Sequence, residues 1–323
     1  MSTGEHIYGA VEAGGTKFLC AVGRGVHEVL EERRIATRQP GETLAEVLQF
    51  FHAMQLKYSR VRGFGIASFG PIQLDRRAQD WGRMLATPKP GWDHTNLIAA
   101  LQPVADCPIE LDTDVNAAAL AEAELGAGQG CSSVAYVTVG TGIGAGVAIN
   151  NQTLRGRMHP EMGHIHVRRD PRDLTFPGIC PFHGDCLEGV ASGLAIQRRW
   201  QSELSALSAD HVAYSIIGGY LGQLAATIAL VTSAERIVFS GGVLENGLLL
   251  PHIRDATRDA LAGYLPPHEP DGCVENSVCM SSLHGRAGLL GAMILARRAG
   301  ELPFVDAVPP RAHERECDRY DQI

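Results

Sequence analysis

The sequence predicts a mixed α/β protein built as two related α/β halves around a cleft. Three observations carry this expectation. Strand-type runs alternate with apolar residues at helical spacing along most of the chain. The same opening, a strand, a glycine-rich turn and a second strand, occurs twice, at Gly14-Gly15-Thr16 and at Gly140–Gly146. A chain of 323 residues is also long enough for about two domains. The crossover is expected just after Asp114. Residues 1–115, joined by a returning stretch at about 287–323, form the smaller domain, and residues 116–286 form the larger one, with an insert at about 159–190.

The elements follow in order. Ile7 to Gly23 reads as two strands joined at Gly14-Gly15-Thr16, where glycine tolerates the positive φ that a tight turn often needs. A polar strand comes next and stops at a Pro40-Gly41 break. Thr43–Tyr58 carries Leu44, Val47, Leu48, Phe51 and Met54 at helical spacing. Arg62–Phe69 is a short strand ending at Gly70-Pro71; Pro88, Pro90 and Gly91 mark a loop, and Thr95–Leu101 a short helix. The strand Ile109–Leu111 runs into Asp112-Thr113-Asp114, and a helix over Asn116–Leu125 begins at once. Ser133–Val139 and Val147–Ile149 are strands around the second glycine turn, and residues 150–190 are polar and rich in His and Cys.

Val212–Val231 has the length of a membrane span and no charge, but three glycines with Ser215, Gln223 and Thr227 dilute it, so a buried core helix is expected. Arg236–Ser240 is a further strand, closed by Gly241-Gly242, and a helix near Ala287–Ala299 returns to the first half. The tail from Pro303 to Ile323 is expected to be exposed or loosely docked.

Composition excludes several classes. Apolar residues make up 45% and charged residues 20%, which rules out disorder as the main state. Lys and Arg total 28 against 36 Asp and Glu, a net charge of −8 that argues against nucleic-acid or anionic-membrane partners. The N-terminus shows no secretory pattern, so the eight cysteines read as reduced thiols or metal ligands and the protein as cytoplasmic.

Glycine turns bring successive backbone amides together and so form anion nests. The first, Glu12-Ala-Gly14-Gly15-Thr16-Lys17, adds a carboxylate, a hydroxyl and an ammonium, the groups needed to hold phosphate oxygens and a hydrated magnesium ion. It lacks the Walker A spacing, and an ordinary hairpin turn is the plainer alternative. The second contains Gly140-Thr141-Gly142 and, as Gly140-x-Gly142-x-x-Ala145, formally matches a dinucleotide fingerprint that fails unless it opens a helix. Both turns together with Gly241-Gly242 make a better set for a nucleoside triphosphate: phosphates at the first two, nucleoside at the third.

Asp114 stands where a strand ends and a helix begins, the edge at which α/β folds present chemistry. It is either a general base for an attacking hydroxyl or an N-cap for the helix, with Asp112 as the local competitor. Cys180-Pro-Phe-His183-Gly-Asp-Cys186 spaces three metal ligands three residues apart, and His164 would complete a closed Cys₂His₂ site for structural zinc, with His159 and His166 as alternatives for the fourth position. Glu161 and Glu188 flank this insert, so a folded metal knot would aim both at one cleft, where carboxylates accept hydrogen bonds from sugar hydroxyls.

Together these residues resemble the ROK family of sugar kinases, and most closely its bacterial fructokinase branch. The resemblance runs from about Tyr8 to Arg298 and is carried by motifs in the family's order. These are Glu12–Lys17, Thr87-Pro-Lys-Pro-Gly-Trp92, Asp112-Thr-Asp-Val-Asn-Ala117, Thr138–Gly144, Glu161-Met-Gly-His164, and Cys180–Cys186 followed by Leu187-Glu188. Two departures narrow the branch: His183 stands where many members have a third Cys, and Thr113 where many glucose-specific members have a sugar-contacting Asn.

The resemblance implies an actin-like ATPase (ribonuclease H-like) fold, two α/β domains closing on ATP and sugar, in a homodimer. It implies transfer of phosphate from ATP with Mg²⁺ to the C6 hydroxyl of fructose, with Asp114 as catalytic base and Glu161, Glu188, Thr113, Gly70 and Pro71 around the sugar. Gly14, Gly15, Thr16, Lys17, Gly140, Thr141, Gly142, Gly241 and Gly242 would hold the nucleotide, and His164, Cys180, His183 and Cys186 a structural Zn²⁺. A glucose- or mannose-type hexokinase is the nearest alternative. A non-catalytic sugar sensor or repressor is the alternative from another class; an NAD-dependent oxidoreductase requires a helix after Gly140–Gly146.

Overall fold

The computed structural model describes residues 6–87, 89–264 and 274–301, so Pro88 and the tail from Pro303 lie outside the described residues. Two five-stranded sheets are built to one plan. The first contains β1 (Ile7–Ala13), β2 (Lys17–Gly25), β3 (Glu28–Ala36), β4 (Val61–Ser68) and β5 (Ile109–Thr113), in the order β3-β2-β1-β4-β5. The second contains β6 (Ser133–Val139), β7 (Ile143–Ile149), β8 (Gln152–Thr153), β9 (Arg236–Ser240) and β10 (Val278–Met280), in the order β10-β9-β6-β7-β8. In each, the opening strand pairs antiparallel with its hairpin partner on one side and parallel with a later strand on the other. The two hairpins predicted from the glycine turns are thus equivalent elements of two equivalent sheets.

Helices cover the sheets. α1 (Pro40–Lys57) begins three residues earlier than its apolar pattern predicts: Pro40 sits in the first helical turn, where its missing N–H costs nothing and its fixed φ fits. α1 buries Val47, Phe50 and Phe51, the last packed edge-on against Phe64 of β4 at 4.8 Å. Beside it lie α2 (Leu97–Leu101) and the fully buried Trp92. The Trp92 indole N–H donates to Arg38 O at 2.9 Å and its ring meets Phe18, so this residue anchors its loop in the first core.

α3 (Asp114–Leu125) follows β5 without a break. α4 (Leu187–Ala191), α5 (Gly193–Trp200), α6 (Val212–Thr232) and α7 (Leu249–Leu261) pack the second sheet, with α8 (Val274–Ser277) short and at its margin. α6 is the long uncharged segment; Tyr214, Ile217, Tyr220 and Leu224 are buried in the second core, which is what the diluted hydropathy predicts.

α9 (Ala287–Glu301) returns to the first sheet and, with α3, forms a third core between the two sheets. Glycine permits the approach: a Cβ on Gly65 of β4 would lie 1.9 Å from Ala292 O of α9, and one on Gly291 would lie 2.0 Å from Ala117 O of α3. Of the predicted turn Gly140–Gly146, only residues 140–142 form the turn; β7 begins at Ile143. Gly146 is a strand residue under the start of α3, where a Cβ would lie 2.4 Å from Val115 O. It serves backbone packing, so its place in a glycine-rich run is no sign of a loop.

Candidate active site

The glycine turns and the end of β5 face one cleft. In the first turn, Gly14 N donates to Lys17 O at 3.0 Å, while the Thr37 hydroxyl donates to Gly14 O at 2.7 Å and Thr37 N to Thr16 O at 3.0 Å. Its outer surface, Gly15 and Thr16, stays exposed, with Lys17 half-buried. The second turn closes through Gly140 N to Gly142 O at 2.9 Å, leaves Thr141 exposed, and is tied to α5 by Gly193 N to Gly140 O at 2.7 Å. Both turns lead into strands, which excludes a Walker A loop and a dinucleotide-binding Rossmann turn. Gly241, at φ +102°, and the exposed Gly242 follow β9.

At the end of β5 the choice between base and cap is resolved in favour of a free carboxylate at 114. Thr113 is the N-cap of α3: its buried hydroxyl accepts from Asn116 N at 3.2 Å. Asp112 is fully buried and committed. One of its oxygens accepts from Thr113 N at 2.8 Å and Asn116 Nδ2 at 2.9 Å, the other from Arg155 Nε at 3.0 Å and Nη2 at 2.8 Å. Asp114 accepts from Val115 N at 2.9 Å and pairs with no side chain among the described residues. Its burial, and secondarily the charge of Asp112, raises its carboxyl to about 6 against the restraint of that amide. A half-buried carboxylate tuned close to neutrality suits a general base.

Two glutamates meet it. Glu161 precedes a 3-10 turn at Met162–His164, and Glu188 lies in the first turn of α4. Burial of the carboxyl end, then the negative charges of Glu188 and Asp114, raise Glu161 to about 7, although 43% of its side chain still faces the open cleft. Glu188 accepts from Ile143 N at 2.9 Å, immediately after the second glycine turn. Glu188 and the second glycine turn therefore share one wall. Gly70 and Pro71, joined by a cis peptide bond, follow the end of β4 and face Glu161; a Cβ on Gly70 would lie 3.6 Å from Glu161 Oε1.

Glu12, in the first glycine motif, has more to do than spacing indicates. Burial, then Asp114, raises its carboxyl to about 7, with the Lys17 ammonium and the Leu289 amide of α9 pulling the other way. Its Oε2 is buried with no hydrogen-bond partner among the described residues. An orphaned carboxylate oxygen beside a phosphate-type turn can hold a hydrated divalent cation.

Behind the cleft, His164, Cys180, His183 and Cys186 place their ligand atoms within 4.8 Å of one another. Cys180 Sγ is 3.7 Å from both His164 Nδ1 and His183 Nδ1, and Cys186 Sγ is 3.5 Å from His164 Nδ1. A tetrahedral zinc site with Zn–S near 2.3 Å and Zn–N near 2.0 Å has ligand–ligand edges of about 3.5 Å, so the four donors fit that ion. Two alternatives for the fourth ligand are excluded from this cluster. His159 lies buried beside Gly70, and His166 points to Asp185 at 3.7 Å. The knot closes by paired bonds between Cys180 and Gly184, and Leu187 N donates to Ile165 O at 2.8 Å, which ties the segment carrying Glu161 to the one carrying Glu188. All six cysteines among the described residues are free thiols.

Sequence reasoning missed Arg155 and His159 as organising residues. Nothing local marks Arg155, whose partner Asp112 lies 43 positions away, and His159 competed with three better-spaced metal ligands.

Comparison with known proteins accounts for this arrangement. The sequence pattern of the ROK family matches residues 8–299. A fructokinase from Zymomonas mobilis subsp. mobilis is 40% identical over 302 residues, covering 93% of this chain and 99% of the relative. Among solved structures, the ROK hexokinase from Thermus thermophilus superimposes with a TM-score of 0.72 at 24% identity, over 90% of this chain and 98% of the other. A ROK family glucokinase from Streptomyces griseus, solved with glucose and AMPPNP, gives 0.68 at 26% identity, over 90% and 99%. With the duplicated sheets, the actin-like ATPase architecture and the ordered motifs in agreement over nearly its whole length, the chain belongs to the ROK family.

Proposed function

We propose that the protein is a fructokinase that transfers the γ-phosphoryl group of ATP to the C6 hydroxyl of D-fructose, giving fructose 6-phosphate and ADP. The observation that carries this reading is the Asp114 carboxylate, released from capping by Thr113 and raised to about 6 between Glu161 and the glycine turns. Asp114 accepts the proton of the C6 hydroxyl as that oxygen bonds to phosphorus, and the bond from the γ-phosphorus to the bridging oxygen breaks to release ADP. Amides of Gly14, Gly15, Gly140, Thr141 and Gly142, with the Thr16 hydroxyl and the Lys17 ammonium, hold the phosphate oxygens as charge spreads over them. Gly241 and Gly242 lie against the nucleoside. Glu161 and Glu188 accept from sugar hydroxyls, Gly70 and Pro71 wall the sugar, and Thr113, whose oxygen is taken by the cap, is left with its proton to donate.

Four carboxyl groups around the cleft would repel a nucleotide polyphosphate, so the reading requires Mg²⁺, for which Glu12 offers its orphaned oxygen. Magnesium supplies charge neutralisation on the β- and γ-phosphates. Zinc, held by His164, Cys180, His183 and Cys186, would fix the insert that carries both glutamates. The proposed enzyme is cytoplasmic and homodimeric, the latter checked by light scattering on a sizing column.

Fructose is favoured by the name of the Zymomonas relative and by Thr113 and His183. The glucose-bound Streptomyces neighbour favours glucose as the second reading. ADP release with ATP and magnesium, across fructose, glucose, mannose and N-acetylmannosamine, separates them. Turnover concentrated on fructose is expected; a preference for glucose or mannose would replace the sugar and keep the chemistry, and sugar-independent silence of folded protein would overturn both.

A further inference from the structure

His159 is more than nine-tenths buried although it directly follows an exposed stretch, Leu154–Met158. Burial of this kind for a histidine needs partners at both ring nitrogens. Nε2 lies 3.3 Å from the Ile72 amide, which can only donate, so Nε2 accepts and carries no proton. In the neutral ring the proton then belongs to Nδ1, which faces Glu161 Oε1 at 3.3 Å and Pro160 O at 3.4 Å. Desolvation lowers the ring's pKa and so favours the neutral form. The ring edge also packs on Gly70, where a Cβ would stand 3.0 Å from Cε1.

The imidazole is therefore a spacer of defined polarity between two parts of the cleft. One side is locked to the backbone that follows Gly70-Pro71 in the first half of the chain. The other side hydrogen-bonds from Nδ1 to Pro160 O, next to Glu161 in the second half, and stands 3.3 Å from Glu161 Oε1, which crowds one oxygen and leaves the second for a ligand hydroxyl. A carboxylate with 43% of its side chain open would otherwise sample several rotamers.

We propose that His159 is a positioning residue that orients Glu161 against the Gly70–Ile72 loop and thereby sets affinity for the sugar, with no part in phosphoryl transfer. The inference rests on the reading of Glu161 as a sugar-binding residue.

Three substitutions isolate it. His159→Ala removes both contacts. His159→Asn keeps an N–H donor near the Nδ1 position, and His159→Gln keeps an acceptor near the Nε2 position for Ile72 N. The KM for fructose is expected to rise roughly tenfold in His159→Ala and His159→Gln, with kcat and the KM for ATP within about twofold of the parent, and to be largely restored in His159→Asn. A fructose KM that is unchanged in His159→Ala, or that moves together with the KM for ATP in all three variants, overturns the proposal. Glu161→Gln separates this failure from that of the underlying reading: if Glu161→Gln leaves the fructose KM unchanged, Glu161 is no sugar ligand and both fall. Because truncating a buried ring can unfold the chain, nitrogen-15 NMR of the unmodified protein gives a second test. The Nδ1–H tautomer of His159 is expected, and an Nε2–H tautomer overturns the assignment whatever the variants do.

Discussion

At the scale of single residues, the cleft depends on which of two neighbouring groups is spent on structure. Thr113 caps α3 and Asp112 is held by four hydrogen bonds, so Asp114 is the carboxylate at this edge committed neither to the cap nor to an ion pair. Asp114→Asn is expected to lower kcat by about 10²–10⁴-fold in folded protein with little change in the KM for ATP, read by steady-state kinetics. The proposed base would work deprotonated, so kcat/KM should fall as pH drops through about 6 and level off above 7. The stability sign is opposite. With the folded-state pKa raised above the unfolded value, the favourable contribution of Asp114 is complete only below about 4 and is lost as pH rises through about 6. Asp114→Asn should therefore stabilise the protein at pH 8, by on the order of 1–2 kcal/mol given its partial exposure, and not at pH 4. Paired denaturant melts at the two pH values check this.

At the scale of elements, two devices fix how pieces of the chain are held. The insert around Cys180–Cys186 has exposed Leu174 and Phe182 and little apolar burial, so metal ligation would carry its shape. Metal analysis of chelator-free protein should find about one zinc per chain, and Cys186→Ser should lose it. The loss should appear as a raised KM for sugar, because Glu161 and Glu188 lie at either end of the knot. The second device is the backbone contact of α9 with β4 and α3. Gly65→Ala and Gly291→Ala each force a methyl to about 2 Å from a carbonyl oxygen, and each should cost at least 1–3 kcal/mol, the range for overpacking a close-packed core, in urea melts.

At the scale of the molecule, the segment after β8 supplies polar contacts between the two halves among the described residues. Arg155 reaches back to Asp112 at the end of β5, and His159 to Ile72. Asp112 has no exposed side-chain surface, while Arg155 retains 30%. Arg155→Met would leave a buried carboxylate oxygen without its cation, at a cost of roughly 3 kcal/mol. Asp112→Asn combined with Arg155→Met should recover part of that loss, since the uncompensated charge is then gone. A double-mutant cycle by thermal melts tests the coupling, and a null coupling would show that the Arg155–Asp112 pair adds nothing to the joining of the halves.

Local patterns in the chain were enough for the hairpins at Gly14 and Gly140, the strand-to-helix edge at Asp114, the buried α6 and the spacing of the Cys–His knot. Each is a short-range consequence of turn chemistry, periodicity or ligand spacing. Misreadings arose where one residue type serves two physical ends. Pro40 starts a helix as readily as it breaks one, and Gly144 and Gly146 were required by the approach of α3 rather than by a turn. The Arg155 pairing of Asp112, the burial of Glu12 and the burial of His159 belong to the tertiary structure, because the groups packed around them lie dozens to hundreds of residues away. Side-chain chemistry along a strand or turn is written in adjacent residues. Which carboxylate is left free, and how far burial raises it, depends on what the fold packs around it.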